Sequence, residues 1–189
     1  MKLKLTNVRL SFPALFQAEA FKQGDVKKFK ATFLIPKDHP QIKEIEQAAI
    51  AALNVKFPGK GELVRKQIAG NNNKCCIQDG DASEYAGYDG CIAVAAKNTI
   101  RPLVLDCAAD PNTGKPRIIY DETEGRPYAG CYVDASIEFF GYDQQGKGLS
   151  ASLRGVQFRK DGDAFTAGSV ASEDEFDDLS AAGEEDPLM

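Results

Sequence analysis

Few residues in this chain are of the types that make and break bonds, and their spacing does not suit it. The single histidine, His39, stands before Pro40 at a helix entrance, where it serves capping or solvent better than general-base work. A serine triad would need it in a pocket beside a serine and an acid, and nothing else in the chain supplies that arrangement. Gly59-Lys60-Gly61 and Gly114-Lys115-Pro116 lack the spacing of a phosphate loop. Asp79-Gly80-Asp81 opens like a calcium loop, but the later ligand positions do not follow, and an ordinary turn is the better reading. Asp106, Asp134 and Glu138 lie on strand-like runs, yet a metal-dependent nuclease would need carboxylates that converge. The five cysteines (Cys75, Cys76, Cys91, Cys107, Cys131) are odd in number and without Cys-x-x-Cys spacing. That argues against a zinc site or a disulfide framework and leaves reduced, mostly buried thiols. No catalytic residue, metal site or cofactor is expected.

Binding a single nucleic-acid strand asks for a different inventory: cations that track phosphates and aromatic faces on which bases stack. The chain supplies Lys27, Lys28, Lys30, Arg65, Lys66, Lys74, Lys97, Arg101, Lys147, Arg154, Arg159 and Lys160 as candidate cations. Candidate stacking rings are Tyr85, Tyr88, Tyr132, Phe140 and Tyr142. Each lysine could equally belong to a solvated face. Tyr132 and Phe140 are the more informative rings, because strand alternation sets them opposite a buried row. There they either cover a second small core or serve as platforms. Asp134 and Glu138 share that face, so the phosphate track is better placed on the Lys27–Lys30 strand, the 65–74 loop and the Arg154–Lys160 strand.

The elements that must hold these residues are mostly short strands. In residues 2–12, Leu3 and Leu5 share one phase and Val8, Leu10 and Phe12 the other. A bulge at Thr6-Asn7 would restore a common buried face, and Pro13 reads as the strand's end. Residues 14–25 read as a loop or short helix. Phe29, Ala31, Phe33 and Ile35 form the inward row of the next strand, with Lys28, Lys30 and Thr32 outward. A helix follows over about 40–54, with capping-box spacing at Asp38 and Gln41 and an apolar stripe of Ile42, Ile45, Ala49, Ile50 and Leu53. Residues 56–73 look irregular, rich in glycine and asparagine. Beyond Cys75 come short apolar runs and turns. A strongly alternating strand follows (Cys131, Val133, Ala135, Ile137, Phe139), and its partner carries Leu149, Ala151 and Leu153. The partner's phase slips at Arg154-Gly155, as at a barrel corner, before Val156 and Phe158 resume. Two slips, several short strands and one helix suggest a small, strongly curved, mainly β barrel.

Charge is divided unevenly along the chain. All 23 basic residues lie in residues 1–160 beside 18 acidic ones, whereas residues 161–189 carry ten acidic residues and no Lys or Arg. A body of +5 is thus joined to a tail of −10, the composition of a disordered, solvated segment. The tail ends in Asp186-Pro187-Leu188-Met189, an apolar pair that offers a partner a hook. Domain boundaries are expected at 1–165 for the folded body and 166–189 for the acidic tail. No apolar run approaches the roughly 20 residues that span a bilayer, and the N-terminus enters strand alternation directly, so no membrane contact and a cytoplasmic location are expected.

Two stretches carry a family resemblance. Gly125-Arg126-Pro127-Tyr128-Ala129-Gly130-Cys131-Tyr132-Val133, with Gly146-Lys147-Gly148-Leu149-Ser150-Ala151-Ser152-Leu153-Arg154-Gly155-Val156-Gln157-Phe158, resembles a tailed-bacteriophage family of single-stranded DNA-binding proteins. Leu10-Ser11-Phe12-Pro13 and Phe33-Leu34-Ile35-Pro36-Lys37 are similar too. The resemblance implies an OB-fold-like, five-stranded Greek-key barrel. It also implies sequence-independent binding of single-stranded DNA in phage replication or recombination. The acidic tail would then modulate binding and recruit replication or recombination proteins, and double-stranded DNA could bind once the tail is removed. The resemblance brings no DNA-contacting motif to transfer, so the site residues rest on the inventory above. The alternative function is an interaction or scaffold protein whose tail mimics nucleic acid toward a basic partner while its body binds no DNA.

Overall fold

The protein is described here from a computed structural model covering residues 1–20 and 22–165; the acidic tail, including Asp186, Pro187, Leu188 and Met189, lies outside the described residues. The strands are β1 (Lys2–Glu19), β2 (Lys28–Pro36), β3 (Ile77–Asp79), β4 (Cys91–Asn98), β5 (Leu103–Ala109), β6 (Pro116–Ile118), β7 (Tyr132–Asp143) and β8 (Lys147–Lys160). Two helices, α1 (Ile42–Lys56) and α2 (Gly61–Ile68), fall between β2 and β3. The sheet order is β3-β4-β2-β1-β7-β8-β5-β6, antiparallel except where β5 runs parallel to β8.

That sheet curls until its two halves meet. The segment Lys74–Cys76 lies between β4 and β8 and joins them: Ala95 N donates to Cys76 O (2.9 Å), Cys76 N to Leu149 O (3.1 Å) and Leu149 N to Lys74 O (2.8 Å). Farther along, the Asn98 side chain donates to Leu153 O across the same seam (3.0 Å). The result is a closed, mainly β, OB-like barrel of β1, β2, β4, β8 and β7. Closure removes the unpaired edges that an open sheet of this size would present.

The inward rows are the ones alternation picks out: Leu3, Leu5, Val8 and Leu10; Ala31, Phe33 and Ile35; Val133, Ala135, Ile137 and Phe139; Leu149, Ala151, Leu153, Val156 and Phe158. The slip in β1 is a bulge at Asn7 (φ 55°), across which the ladder to β7 shifts. Asn7 N, displaced from the ladder, donates instead to Asp134 Oδ1 (2.9 Å). The second slip, at Arg154-Gly155, is likewise present as a register shift against Ser136 and Ile137.

Three expectations are corrected. Strand β1 does not end at Pro13 but runs on to Glu19, because Pro13 sits at a second register shift where no ladder N–H is needed. The capping box does not form: Gln41 instead accepts from Thr6 N (2.8 Å) and donates to Lys4 O (2.9 Å), tying the start of α1 to β1. Residues 56–73 are not wholly irregular, since α2 buries Val64 and Ile68, one turn apart, against α1, and its first amide is caught by Asn54 Oδ1 (2.8 Å).

The β5–β6 excursion is pinned by one carboxylate. Asp106 is fully buried and accepts from Arg117 (2.7 Å), Arg126 (2.9 Å) and Cys107 N (2.7 Å). Burial alone would raise its pKa, but the bond from Arg117 and the amides of Cys107 and Ala108 outweigh it and hold the carboxyl at about 2. Its stabilising contribution is therefore complete above the unfolded value near 4 and is lost as pH falls through about 2. Asp106→Asn should cost about 3 kcal/mol at neutral pH. The same change should flatten the loss of stability between pH 4 and pH 2, both effects read from urea denaturation.

Candidate functional site

The outer faces of β2 and β4 form the floor of a groove of about 790 Å³. Small residues make the floor, among them Thr32, Ala93 and Ala95; Asn72, Asn73, Lys74 and Tyr142 stand on one side, Phe12 and Tyr85 on the other. Lys30 and Lys97 face each other directly across the β2–β4 ladder. Like charges in that position repel. Glu19 offsets one of them, lying 2.8 Å from Lys30 Nζ, and Lys97 is exposed. A polyanion lying along the floor would relieve the remainder.

The groove's sides are held from behind. Lys74 Nζ donates to Gln145 O, and Tyr142 donates to Asn73 O (3.2 Å), joining the β7–β8 turn to the 72–74 segment. Tyr142 lies flat on Gly148, where a Cβ would come within 2.2 Å of the ring. Phe140 is 43% exposed and faces outward beside Ser150, a groove residue, but does not itself line the groove.

Tyr85 is 62% exposed on the loop joining β3 to β4 and touches Phe12 edge-on, with ring centroids 4.9 Å apart. Tyr88, expected as a stacking ring, is buried at 6% exposure. Its ring backs Tyr85 at 5.6 Å and its hydroxyl donates to Ser11 Oγ (3.2 Å). Burial pushes the Tyr88 hydroxyl's pKa up, against the lowering effect of its bonds to Ser11 and Thr32. Tyr88 therefore lines the groove from beneath Tyr85 with little of its ring exposed.

Phe12 is the residue that alternation misplaced. It was expected in the inward row after Leu10, but it is 49% exposed and lines the groove. Its φ of 45° turns the side chain outward. The sequence held one signal for this, the proline immediately after it, which marks a break in strand geometry.

The other candidate cations lie elsewhere. Arg65 is engaged with Glu46 (3.0 Å), Arg154 with Glu138 (2.8 Å) and Arg159 with Asp134 (2.9 Å). Arg101 packs on Phe16 at 5.5 Å and donates to Tyr120 O. Lys147 and Lys160 sit over the rings of Phe57 and Tyr132, at 5.4 and 4.6 Å. Tyr132 is further flanked by Arg9 at 5.7 Å, so it acts as packing for cations. Lys27 and Lys28 stand at the entrance and start of β2, and Lys66 is exposed on α2. His39 accepts from Gln41 N through Nδ1 (3.2 Å), a capping role. Among the described residues no group of three His, Cys, Asp or Glu side chains could hold a metal, and no helix is long and apolar enough to cross a membrane.

The family model described as Enterobacter phage Enc34, ssDNA-binding protein, matches residues 1–188. The chain belongs to this family. A curated relative, "Putative protein p50" of Acyrthosiphon pisum secondary endosymbiont phage 1, is 48% identical over 190 residues, covering 100% of this chain and 99% of the relative. The solved single-stranded DNA-binding protein of bacteriophage Enc34 in complex with ssDNA is 27% identical at a TM-score of 0.68, over 87% of this chain and 89% of that one. A second solved structure of the bacteriophage Enc34 single-stranded DNA-binding protein is 28% identical at a TM-score of 0.66, over 93% of this chain and 90% of that one. The family's barrel is thus present here with the groove on its β2–β4 face.

The support role of Tyr88 can be isolated from any contact role. Tyr88→Phe keeps the ring behind Tyr85 and leaves the buried Ser11 hydroxyl without its partner. It should lower stability by about 1 kcal/mol in denaturant titrations, while the affinity of the groove for its ligand stays unchanged.

Proposed function

We propose that this protein binds single-stranded DNA without sequence preference, in the groove across β2 and β4. The single observation that carries this reading is the cross-strand lysine pair Lys30–Lys97, with Lys74 beside it, in a groove edged by exposed aromatic rings. Lysines on flexible stems meet phosphates without fixing a register, and every base offers a face to an aromatic ring. The membership of the chain in a phage single-stranded DNA-binding family, and the solved relative in complex with ssDNA, support it. The role is non-enzymatic and needs no cofactor. It protects and presents the strand to phage replication or recombination enzymes in the cytoplasm of a bacterial host.

Residues 1–165 act as the binding domain and 166–189 as an acidic tail with two jobs. The tail competes with DNA for the groove, and Asp186, Pro187, Leu188 and Met189 engage a replication or recombination protein. The last described residue, Phe165, supports the first job by its position. Its ring lies against the loop that carries Tyr85, where a Cβ on Gly87 would come within 2.5 Å of it. A polyanion tethered there acts at an effective concentration on the order of mM.

Fluorescence anisotropy with labelled oligo-dT tests the reading directly. Binding should be tight at low salt and fall log-linearly as salt rises. Lys74→Ala and Lys97→Ala should each flatten that slope by about 0.7, whereas Lys66→Ala on α2 should leave it unchanged. Absence of binding at low salt would reject the function. A chain ending at Phe165 should bind oligo-dT more tightly than the full chain and acquire measurable affinity for duplex DNA. Equal affinities would leave the tail only its partner role.

A further inference from the structure

Phe12 holds an unusual position for an apolar side chain. Leu10, two residues before it, is fully buried, and one more step of regular alternation would bury Phe12 in the same core. Instead the ladder to β2 jumps from Ser11↔Thr32 to Ala14↔Lys30, so Phe12 and Pro13 stand opposite one residue of β2. Phe12 takes a positive φ of 45°, a conformation that L side chains adopt only at a cost. Pro13 lacks an N–H, so the bulge leaves one fewer amide to satisfy. Burial of a phenylalanine is forgone and backbone strain accepted, and the ring ends up half-exposed at the rim of the groove.

The ring is also braced there. Ser11 anchors the Tyr88 hydroxyl, Tyr88 backs Tyr85, and Tyr85 meets Phe12 at an interplanar angle of 73°. An edge-on contact fixes the orientation of Phe12 without sandwiching it between two faces. Immediately beyond the bulge, Ala14 pairs with Lys30, which in turn faces Lys97. A ring at the rim is therefore followed, across the floor of the groove, by two cations. A strand crossing the sheet there would set a base against the ring and its backbone against the lysines.

We propose that Phe12 is a nucleobase-stacking residue, set on the groove rim by the Phe12-Pro13 bulge and held in orientation by Tyr85. This rests on the reading of the groove as a single-strand site. The chain contains no tryptophan, so Phe12→Trp creates a sole indole reporter at this position. Saturating oligo-dT should quench its fluorescence by at least half, with the midpoint seen by anisotropy. Val55→Trp, on the exposed side of α1, should not respond. A strand of abasic sugar-phosphates should also leave the Phe12→Trp signal unquenched. Phe12→Ala should weaken oligo-dT binding roughly tenfold with an unaltered salt slope, because stacking releases no counterions. Phe12→Leu should behave like Phe12→Ala and Phe12→Tyr like the wild type, with melting temperatures confirming that each variant is folded. An unquenched Phe12→Trp chain that anisotropy shows to be loaded, or a Phe12→Ala chain of wild-type affinity, would overturn the proposal and leave the groove reading intact. A wild-type chain that binds no oligonucleotide would remove both.

Discussion

The structure depends on a three-residue seam. Lys74–Cys76 belongs to none of the eight strands, yet its backbone bonds to Ala95 and Leu149 are what join β4 to β8 and close the barrel. Side chains there must be small and apolar, and two cysteines meet that need. Both are buried, and burial pushes both thiols up, so they stay protonated and inert. Cys75 Sγ is approached by Ile77 N (3.4 Å) and by Arg65 of α2 (3.7 Å), and Arg65 is itself held by Glu46 of α1. The helices thus brace the seam, and the seam in turn fixes the 72–74 side of the groove. Arg65 is thus committed to this brace.

The same division of labour runs through the cations. All seven arginines have partners within the protein. Arg65, Arg117, Arg126, Arg154 and Arg159 engage carboxylates, while Arg9 and Arg101 engage carbonyls and rings. A guanidinium fork is well suited to fixing one geometry, which stabilises a barrel but would also fix a ligand's register. The groove is left to lysines. The carboxylates that looked like candidate metal ligands are explained by the same rule, since Asp106, Asp134 and Glu138 each hold an arginine. Asp134 also receives the amide that the Asn7 bulge displaces.

Periodicity revealed what is repeated along the chain and missed what is decided across it. The inward rows of β2, β7 and β8, the bulge at Asn7 and the slip at Gly155 were all legible, because each leaves a local mark of period two. Helix α1 was legible from its apolar stripe. The continuation of β1 past Pro13 was not, since a proline reads as a stop, and only pairing with Lys28 and Lys30 keeps the strand extended. Helix α2 was hidden among glycines and lysines, its two buried apolar side chains, Val64 and Ile68, too few to make a stripe. The groove is half legible: Lys30, Lys74, Lys97, Tyr85 and Tyr142 line it, whereas Arg65 reads as a free cation in the sequence although Glu46, 19 residues away, holds it. Phe12 escaped because its orientation is set by a single dihedral angle, which composition and spacing do not encode.

The junction with the tail ties the charge asymmetry to the site. Residues 161–165 are strapped across the outside of the barrel: Gly162 N donates to the Tyr128 hydroxyl (3.2 Å), Arg9 donates to Asp163 O (2.7 Å) and Phe165 N to Ala129 O (2.9 Å). The ring of Phe165 joins Leu34, Tyr88 and Ala93 in a small outer cluster, 4.4 Å from the Arg9 guanidinium. Tyr88 and Ala93 also line the groove. The acidic segment is therefore tethered beside the aromatic rim, and not at a remote surface from which a short polyanion would have to reach across the barrel. On the proposed reading, a tether placed there gives tail charge a high local concentration at the cations a strand would use. On that same reading, a protein holding the end of the tail would act on the groove by displacing charge.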